Sequence, residues 1–151
     1  MTTFVDIADP YISLVTPALI EQSALTTLEH QGILPDSDLT IIITDETHIQ
    51  QLNQEFRQID APTDVLAFPA GYTDPDSGNR YLGDIMISFE RARIQAQSSK
   101  NFVEDELQLL VVHGVLHLLG FEHDDIDAKE DMWSAQYQIL NRLGVNVSLP
   151  D

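Results

Sequence analysis

Apolar and polar residues follow two different periods along the chain, and together they predict a mixed order of strands and helices. Short apolar, β-branched runs predict strands over residues 3–7, 39–43, 64–68 and 81–87. Segments with helical periodicity follow or separate these runs, which gives the order β-α-β-α-β-β-α-α-α. We therefore expect an α+β fold: one small, four-stranded mixed sheet covered by about five helices. The length favours a single domain over residues 1–151.

Capping residues predict where several helices begin and end. Thr16 followed by Pro17 is typical of a helix start, and Gly32 predicts the end of that first helix. Asp45 and Ser88 each precede a helical segment and are predicted N-caps.

The two helices closest to the carboxyl terminus each have a predicted capping box. Asn101 with Glu104 opens a long helix that ends at Gly120, where we expect a positive φ angle. Asp127 with Glu130 repeats the pattern for the last helix.

Burial and exposure are also predicted for two intervening segments. Ile49, Leu52 and Phe56 share one face of the second helix, which predicts that this face is buried. Residues 71–80, GYTDPDSGNR, are rich in turn-forming residues and predict an exposed loop between two strands.

Composition excludes several classes of function. Acidic residues outnumber basic ones 25 to 7, for a net charge of −18, which disfavours non-specific nucleic-acid binding and docking on anionic membranes. The chain has no cysteine, so a metal site must use His, Asp or Glu. No apolar run of 18 residues is present and the amino-terminal residues do not resemble a signal peptide, so we expect a cytoplasmic protein without a membrane partner.

Three of the five histidines lie within eleven residues and form the strongest chemical signal in the chain. His113 and His117 are four residues apart on a predicted helix, so both rings project from one face. Gly120 ends that helix and lets the chain reverse, which brings His123 toward the same point. The spacing predicts one zinc ion per chain on three imidazoles, with a fourth position open for catalysis.

The histidine spacing matches that of the metzincin metalloproteases, but one catalytic residue of that motif is missing. Gly114 stands where those enzymes have the glutamate that takes a proton from the attacking water. Glu122, Asp124 and Asp125 lie nearby without occupying that helical position. We expect them to form mostly a solvated loop, with one acid orienting a ligand histidine.

Arg57 follows an amphipathic helix and precedes a loop. A planar guanidinium can bind two phosphoryl oxygens at once, which suits charge that develops on phosphorus. From position alone, however, a surface ion pair with Asp60 or Asp64 is the better interpretation.

Four blocks spanning residues 52–123 carry a family resemblance: LNQEFR, TDVLAFP, LGDIMIS and HGVLHLLGFEH. Together they resemble the YbeY family of bacterial endoribonucleases and rRNA maturation factors. The resemblance assigns metal binding to His113, His117 and His123, and a catalytic role to Arg57. Two positions depart from the family pattern, because Glu122 replaces an aspartate and Ala67 replaces a serine.

The resemblance implies a metal-dependent endoribonuclease that cleaves single-stranded RNA, rather than DNA, in the cytoplasm. It further implies a role in 16S rRNA 3′-end maturation and ribosome quality control. The expected metal is zinc, with nickel as the alternative for an all-imidazole site. A cleft lined by Arg57, with Arg80 as a second candidate, would have to attract RNA locally against the negative net charge.

Two alternatives remain open at this level. One is a metallohydrolase of another class, such as a peptidase, against which the glycine at position 114 counts. The other is a non-catalytic ribosome-assembly factor with a structural metal, which the net charge of −18 supports because acidic surfaces favour the basic proteins of the small ribosomal subunit.

Overall fold

The computed structural model describes residues 2–33 and 35–145, and its order of elements confirms the predicted one. A single 3₁₀ turn, Asp9–Tyr11, precedes the first helix. The ends of the expected 1–151 domain lie outside the described residues. The nine regular elements, in chain order, are β1 (Thr2–Ile7), α1 (Pro17–His30), β2 (Ser37–Thr44), α2 (Glu46–Arg57), β3 (Val65–Thr73), β4 (Arg80–Ser88), α3 (Phe89–Ser99), α4 (Val103–Leu118) and α5 (Ile126–Leu143).

The four strands form one mixed sheet in the order β1-β2-β4-β3. Strands β1, β2 and β4 are parallel, whereas β3 pairs antiparallel with β4 and is an edge strand. In the register, Ile85 of β4 lies between Ile41 of β2 and Ala67 of β3. The β-branched residues that predicted β2 and β4 are therefore in the middle of the sheet, where both faces are covered.

The two faces of the sheet are covered to different extents. One face packs against α1, α3 and α4 in the largest apolar cluster of the described residues. The other face holds a small cluster with α2, centred on Ile49, Leu66 and Met86. Helix α5 packs on the outer side of α4, where Val112 and Leu116 meet Met132 and Ile139. Helix α4 is thus enclosed between the sheet and α5, as its apolar sequence predicted.

Phe56 is an exception to the predicted burial of α2. Ile49 is fully buried, but Phe56 keeps 58% of its surface exposed. Its ring packs edge-on against Phe68, with 5.5 Å between ring centroids, and Phe68 belongs to the edge strand β3. The prediction is wrong because the last turn of α2 lies where the sheet ends.

Side-chain hydrogen bonds confirm two of the five predicted N-caps, and the other three make no such bond. Asp45 and Ser88 accept hydrogen bonds from backbone N–H groups of α2 and α3. Asn101 does not cap α4, because its backbone N–H donates to the carbonyl of Ala96 and completes the end of α3.

The last helix also begins earlier than predicted. Asp125, rather than Asp127, caps α5 by accepting a 2.8 Å hydrogen bond from the N–H of Ala128. Thr16 does precede α1, but its side chain makes no capping hydrogen bond.

Strand β3 is longer than its sequence predicted. Residues 71–73, expected in a loop, continue the strand, and Tyr72 and Thr73 pair with Tyr81 and Arg80. The register shifts after Pro69, a residue that an edge strand tolerates because its missing N–H faces away from the ladder. No helix in the described part of the chain is long and apolar enough to cross a bilayer.

Candidate metal centre

Helix α4 and the turn after it bring the three histidines together. His113 and His117 lie one turn apart in the carboxyl-terminal half of α4. Gly120 adopts a φ of +99°, which confirms the predicted positive angle, and the chain reverses there. This reversal places the exposed ring of His123 beside the two partly buried rings of α4.

The three imidazoles are close enough to share one ion. One donor atom from each ring lies within 4.8 Å of the others, and the Nε2 atoms of His113 and His117 are 3.0 Å apart. Around a tetrahedral zinc with bonds of ~2.0–2.1 Å, donor atoms lie roughly 3.3 Å from one another. Small ring rotations therefore suffice, and a divalent ion fits this nitrogen donor set.

A buried glutamine that the sequence interpretation did not identify holds the first histidine in place. The Oε1 atom of Gln136, on α5, lies 2.6 Å from Nδ1 of His113. Because an amide oxygen only accepts, Nδ1 carries the proton and the lone pair of Nε2 faces the cluster. The sequence contained a signal for this role, because Gln136 is a polar residue on the same face of α5 as the apolar residues Met132 and Ile139.

The environment keeps the α4 histidines neutral. Burial, together with the neighbouring His117, lowers the pKa of His113 to about 4. Burial also lowers the pKa of His117, against the opposing effect of Glu122. Neutral imidazole is the form that binds a metal, so these rings are ready to do so at neutral pH without first losing a proton.

The histidines line a cleft of about 510 Å³, and Arg57 lines the same cleft. The Nη2 atom of Arg57 donates to the carbonyl of Ala67 on β3 at 3.5 Å. Among the described residues, no ion pair joins Arg57 to Asp60 or Asp64. The surface ion pair favoured from position alone is therefore wrong, and the guanidinium is left facing the cleft.

The position that carries the catalytic glutamate in metzincins has no room for a side chain here. A Cβ atom on Gly114 would lie 2.8 Å from Cγ2 of Ile85, because α4 packs directly on β4. Asp64, Glu122 and Asp124 also line the cleft.

Glu122 is the acid nearest to His117. Its Oε2 atom lies 3.9 Å from Nδ1 of His117, an electrostatic contact longer than a hydrogen bond. Asp125 is instead used as the cap of α5. The expectation that Arg80 lines the same cleft is wrong, because Arg80 lines a neighbouring cavity.

Comparison with known proteins identifies relatives that are named as endoribonucleases. Residues 12–144 match a family model described as Endoribonuclease YbeY. The chain is 42% identical over 151 residues to the Endoribonuclease YbeY of Roseiflexus sp. (strain RS-1), covering 96% of this chain and 94% of that protein. It is 37% identical over 139 residues to the protein of the same name from Dehalococcoides mccartyi (strain ATCC BAA-2100), covering 84% and 87%.

A solved structure has a similar fold. The solution structure of TM1509 from Thermotoga maritima superposes with a TM-score of 0.58 at 26% identity, covering 95% of this chain and 92% of that one.

Proposed function

The chain belongs to the YbeY family of endoribonucleases, and from that premise we propose that it cleaves single-stranded RNA in a metal-dependent reaction. The observation that carries the proposal is the cleft itself. Three imidazoles with mutually close donor atoms form one wall, and an arginine with no acidic partner among the described residues lines the same cleft. This arrangement suits a phosphodiester, whose reaction places negative charge on phosphoryl oxygens.

We propose that His113, His117 and His123 hold one zinc ion per chain, with nickel as the alternative. Nitrogen donors of intermediate softness suit both ions. A bound divalent ion supplies Lewis acidity toward a phosphoryl oxygen. Gln136 orients His113 through the hydrogen bond to its Nδ1 atom. Glu122 acts on His117 electrostatically, because its carboxylate lies 3.9 Å from Nδ1 of that ring.

Arg57 is the proposed catalytic residue. Its planar guanidinium binds two phosphoryl oxygens of the scissile phosphate and stabilises the charge that develops there. RNA carries its own nucleophile in the 2′-hydroxyl group, so the absence of a carboxylate at Gly114 does not prevent the reaction.

We propose the 16S rRNA precursor as the physiological substrate, in 3′-end maturation and ribosome quality control in the cytoplasm. The net charge of −18 supports delivery through basic proteins of the small ribosomal subunit, because an acidic surface repels naked RNA but attracts such proteins. The local site around Arg57 then engages a strand that the partner has already brought close.

The deciding experiment measures metal content and RNA cleavage on one purified preparation. We expect about one equivalent of zinc or nickel, cleavage of single-stranded RNA, and loss of both after chelation with recovery on adding the metal back. Products ending in 2′,3′-cyclic phosphate would identify the 2′-hydroxyl as the nucleophile. A metal-loaded protein that associates with small subunits without cutting RNA would instead be an assembly factor, and cleavage of a peptide panel would indicate a hydrolase of another class.

A further inference from the structure

A second cavity adjoins the metal cleft, and none of the residues proposed for metal binding or catalysis lines it. This cavity, the Arg80 cavity, measures about 410 Å³. Its apolar wall comes from Ile33, Leu82, Leu118 and Leu119, while Arg80 and Gln31 contribute polar groups. The cavity therefore presents both polar groups and apolar side chains to a ligand.

The Arg80 cavity is next to the metal cleft. Pro69 of strand β3 lines both spaces. Leu118, in the wall of the Arg80 cavity, directly follows His117 in the chain. A linear molecule that lies at the histidines and follows β3 past Pro69 would therefore reach the second cavity.

Arg80, like Arg57, has no ion-pair partner among the described residues. Arg91 pairs with Glu46 at 2.8 Å, and Arg93 stacks over Phe89. In the part of the chain that the structure describes, no acidic side chain lies within 4.0 Å of the guanidinium nitrogens of Arg80. Its backbone N–H is bonded to Asp36, which places the start of β4 while leaving the side chain available.

We propose that the Arg80 cavity is a second nucleotide subsite for the RNA strand that is cut at the histidines. Arg80 binds a backbone phosphate, and the apolar wall receives the adjoining base. The proposal rests on the proposed function, since the strand enters from the metal cleft. A phosphodiester strand is the occupant that combines a charge opposite to Arg80, apolar ring faces and enough length to occupy both spaces.

The distance along β3 sets how long an RNA must be to reach both Arg57 and Arg80. Thr73, the pairing partner of Arg80, is six residues beyond Ala67, the residue that accepts a hydrogen bond from Arg57. At ~3.3 Å per residue this separation is roughly 20 Å, or up to about six nucleotides of a stacked strand. Short oligonucleotides should therefore engage the metal cleft alone, and longer ones should reach Arg80.

The test compares Arg80→Ala with Arg142→Ala, a matched control with the same loss of one charge from an exposed arginine on α5 that lines neither cavity. The kcat/KM of zinc-loaded protein is measured on a series of single-stranded RNAs from two to twelve nucleotides long. We expect Arg80→Ala to lower kcat/KM about tenfold on long RNAs, mainly through KM, and to leave short ones unchanged. Arg142→Ala should behave as the parent at every length.

Salt dependence provides a second readout that a structural role of Arg80 would not change. Loss of one phosphate contact should make the slope of log(kcat/KM) against log salt shallower by about 0.7 on long RNAs. Arg80→Lys should retain the parent slope, because it keeps the charge.

If Arg80→Ala matches Arg142→Ala at all lengths and salt concentrations, the subsite is refuted while RNA cleavage by the parent still stands. If the metal-loaded parent cuts no RNA, the proposed function fails, which is a separate result.

Discussion

The two walls of the metal cleft are built in different ways. The histidine wall comes from eleven consecutive residues on α4 and its following turn. Its two helical rings are partly buried, and His113 has its hydrogen-bond partner, Gln136, on α5. The other wall comes from the end of α2 and the edge strand β3, and Arg57 there is exposed, with a 3.5 Å hydrogen bond to a backbone carbonyl.

This difference indicates which properties each wall controls. Buried polar rings need defined partners, so we expect the histidine wall to contribute to folding as well as to the proposed metal binding. An exposed arginine contributes little to folding stability but keeps its bonding capacity for a ligand. Substitutions in the two walls should therefore separate metal content and stability from the rate of RNA cleavage.

The largest effect is expected for His117→Ala. Removing one of three ligands should abolish stable metal binding and RNA cleavage, and should remove the increase in melting temperature that added zinc gives the parent. Elemental analysis and thermal unfolding with and without zinc measure this. His48→Ala, an exposed histidine outside the cleft, is the control and should retain all three properties. Full metal content in His117→Ala would remove this residue from the ligand set.

Next in size is Arg57→Ala. Cleavage of single-stranded RNA should fall by roughly 10²-fold or more, because one donor to the developing charge is lost. Metal content and melting temperature should stay at the parent values, since the side chain is exposed and has no ion-pair partner among the described residues. Arg57→Lys should recover part of the rate, because an ammonium group lacks the two-pronged geometry. Cleavage at the parent rate by Arg57→Ala would contradict the role assigned to this wall.

A smaller effect is expected for Gln136→Met, which tests the buried support behind the histidine wall. Without the amide oxygen, His113 loses the partner that fixes its Nδ1 proton, and zinc affinity should weaken by about 10- to 100-fold. Competition with a fluorescent chelator measures this affinity. Gln138→Met alters an exposed glutamine on the same helix and should bind zinc as the parent does. Equal affinities in the two variants would show that the contact with Gln136 does not tune the site.

A separate effect is expected on the folding stability of the metal-free protein, through its pH dependence. Burial lowers the pKa of His113 from 6.5 to about 4, so the unfolded chain binds a proton here that the folded chain does not bind between these values. This contribution to stability is therefore fully present above pH 6.5 and is lost as the pH falls toward 4, by at most about 3 kcal/mol.

Urea unfolding of chelator-treated protein across this pH range measures the change. His113→Asn, which cannot titrate, should show a shallower dependence on pH than the parent. Identical slopes for the two proteins would rule out His113 as the group responsible.

Much of the fold could be predicted from local signals. The apolar runs predicted all four strands, and Asp45, Ser88 and Gly120 were placed correctly because caps and glycine turns depend on a few neighbouring residues. Predictions based on local patterns were wrong where a neighbouring element changed a residue's role. Asn101 completes α3 instead of opening α4, and Phe56 packs against the edge strand β3 and stays exposed.

The candidate site also has one part that local sequence predicted and another that only the tertiary structure decided. By itself the sequence determined the cluster of three histidines, because side chains four residues apart on a helix and one turn beyond it need only local geometry to converge. The tertiary structure decided that Gln136 supports His113, that Arg57 lines the cleft with no acidic partner among the described residues, and that Arg80 belongs to an adjoining cavity. Each of these depends on contacts between residues far apart in the chain, and such contacts are set by how helices pack on the sheet and not by any local period of apolar residues.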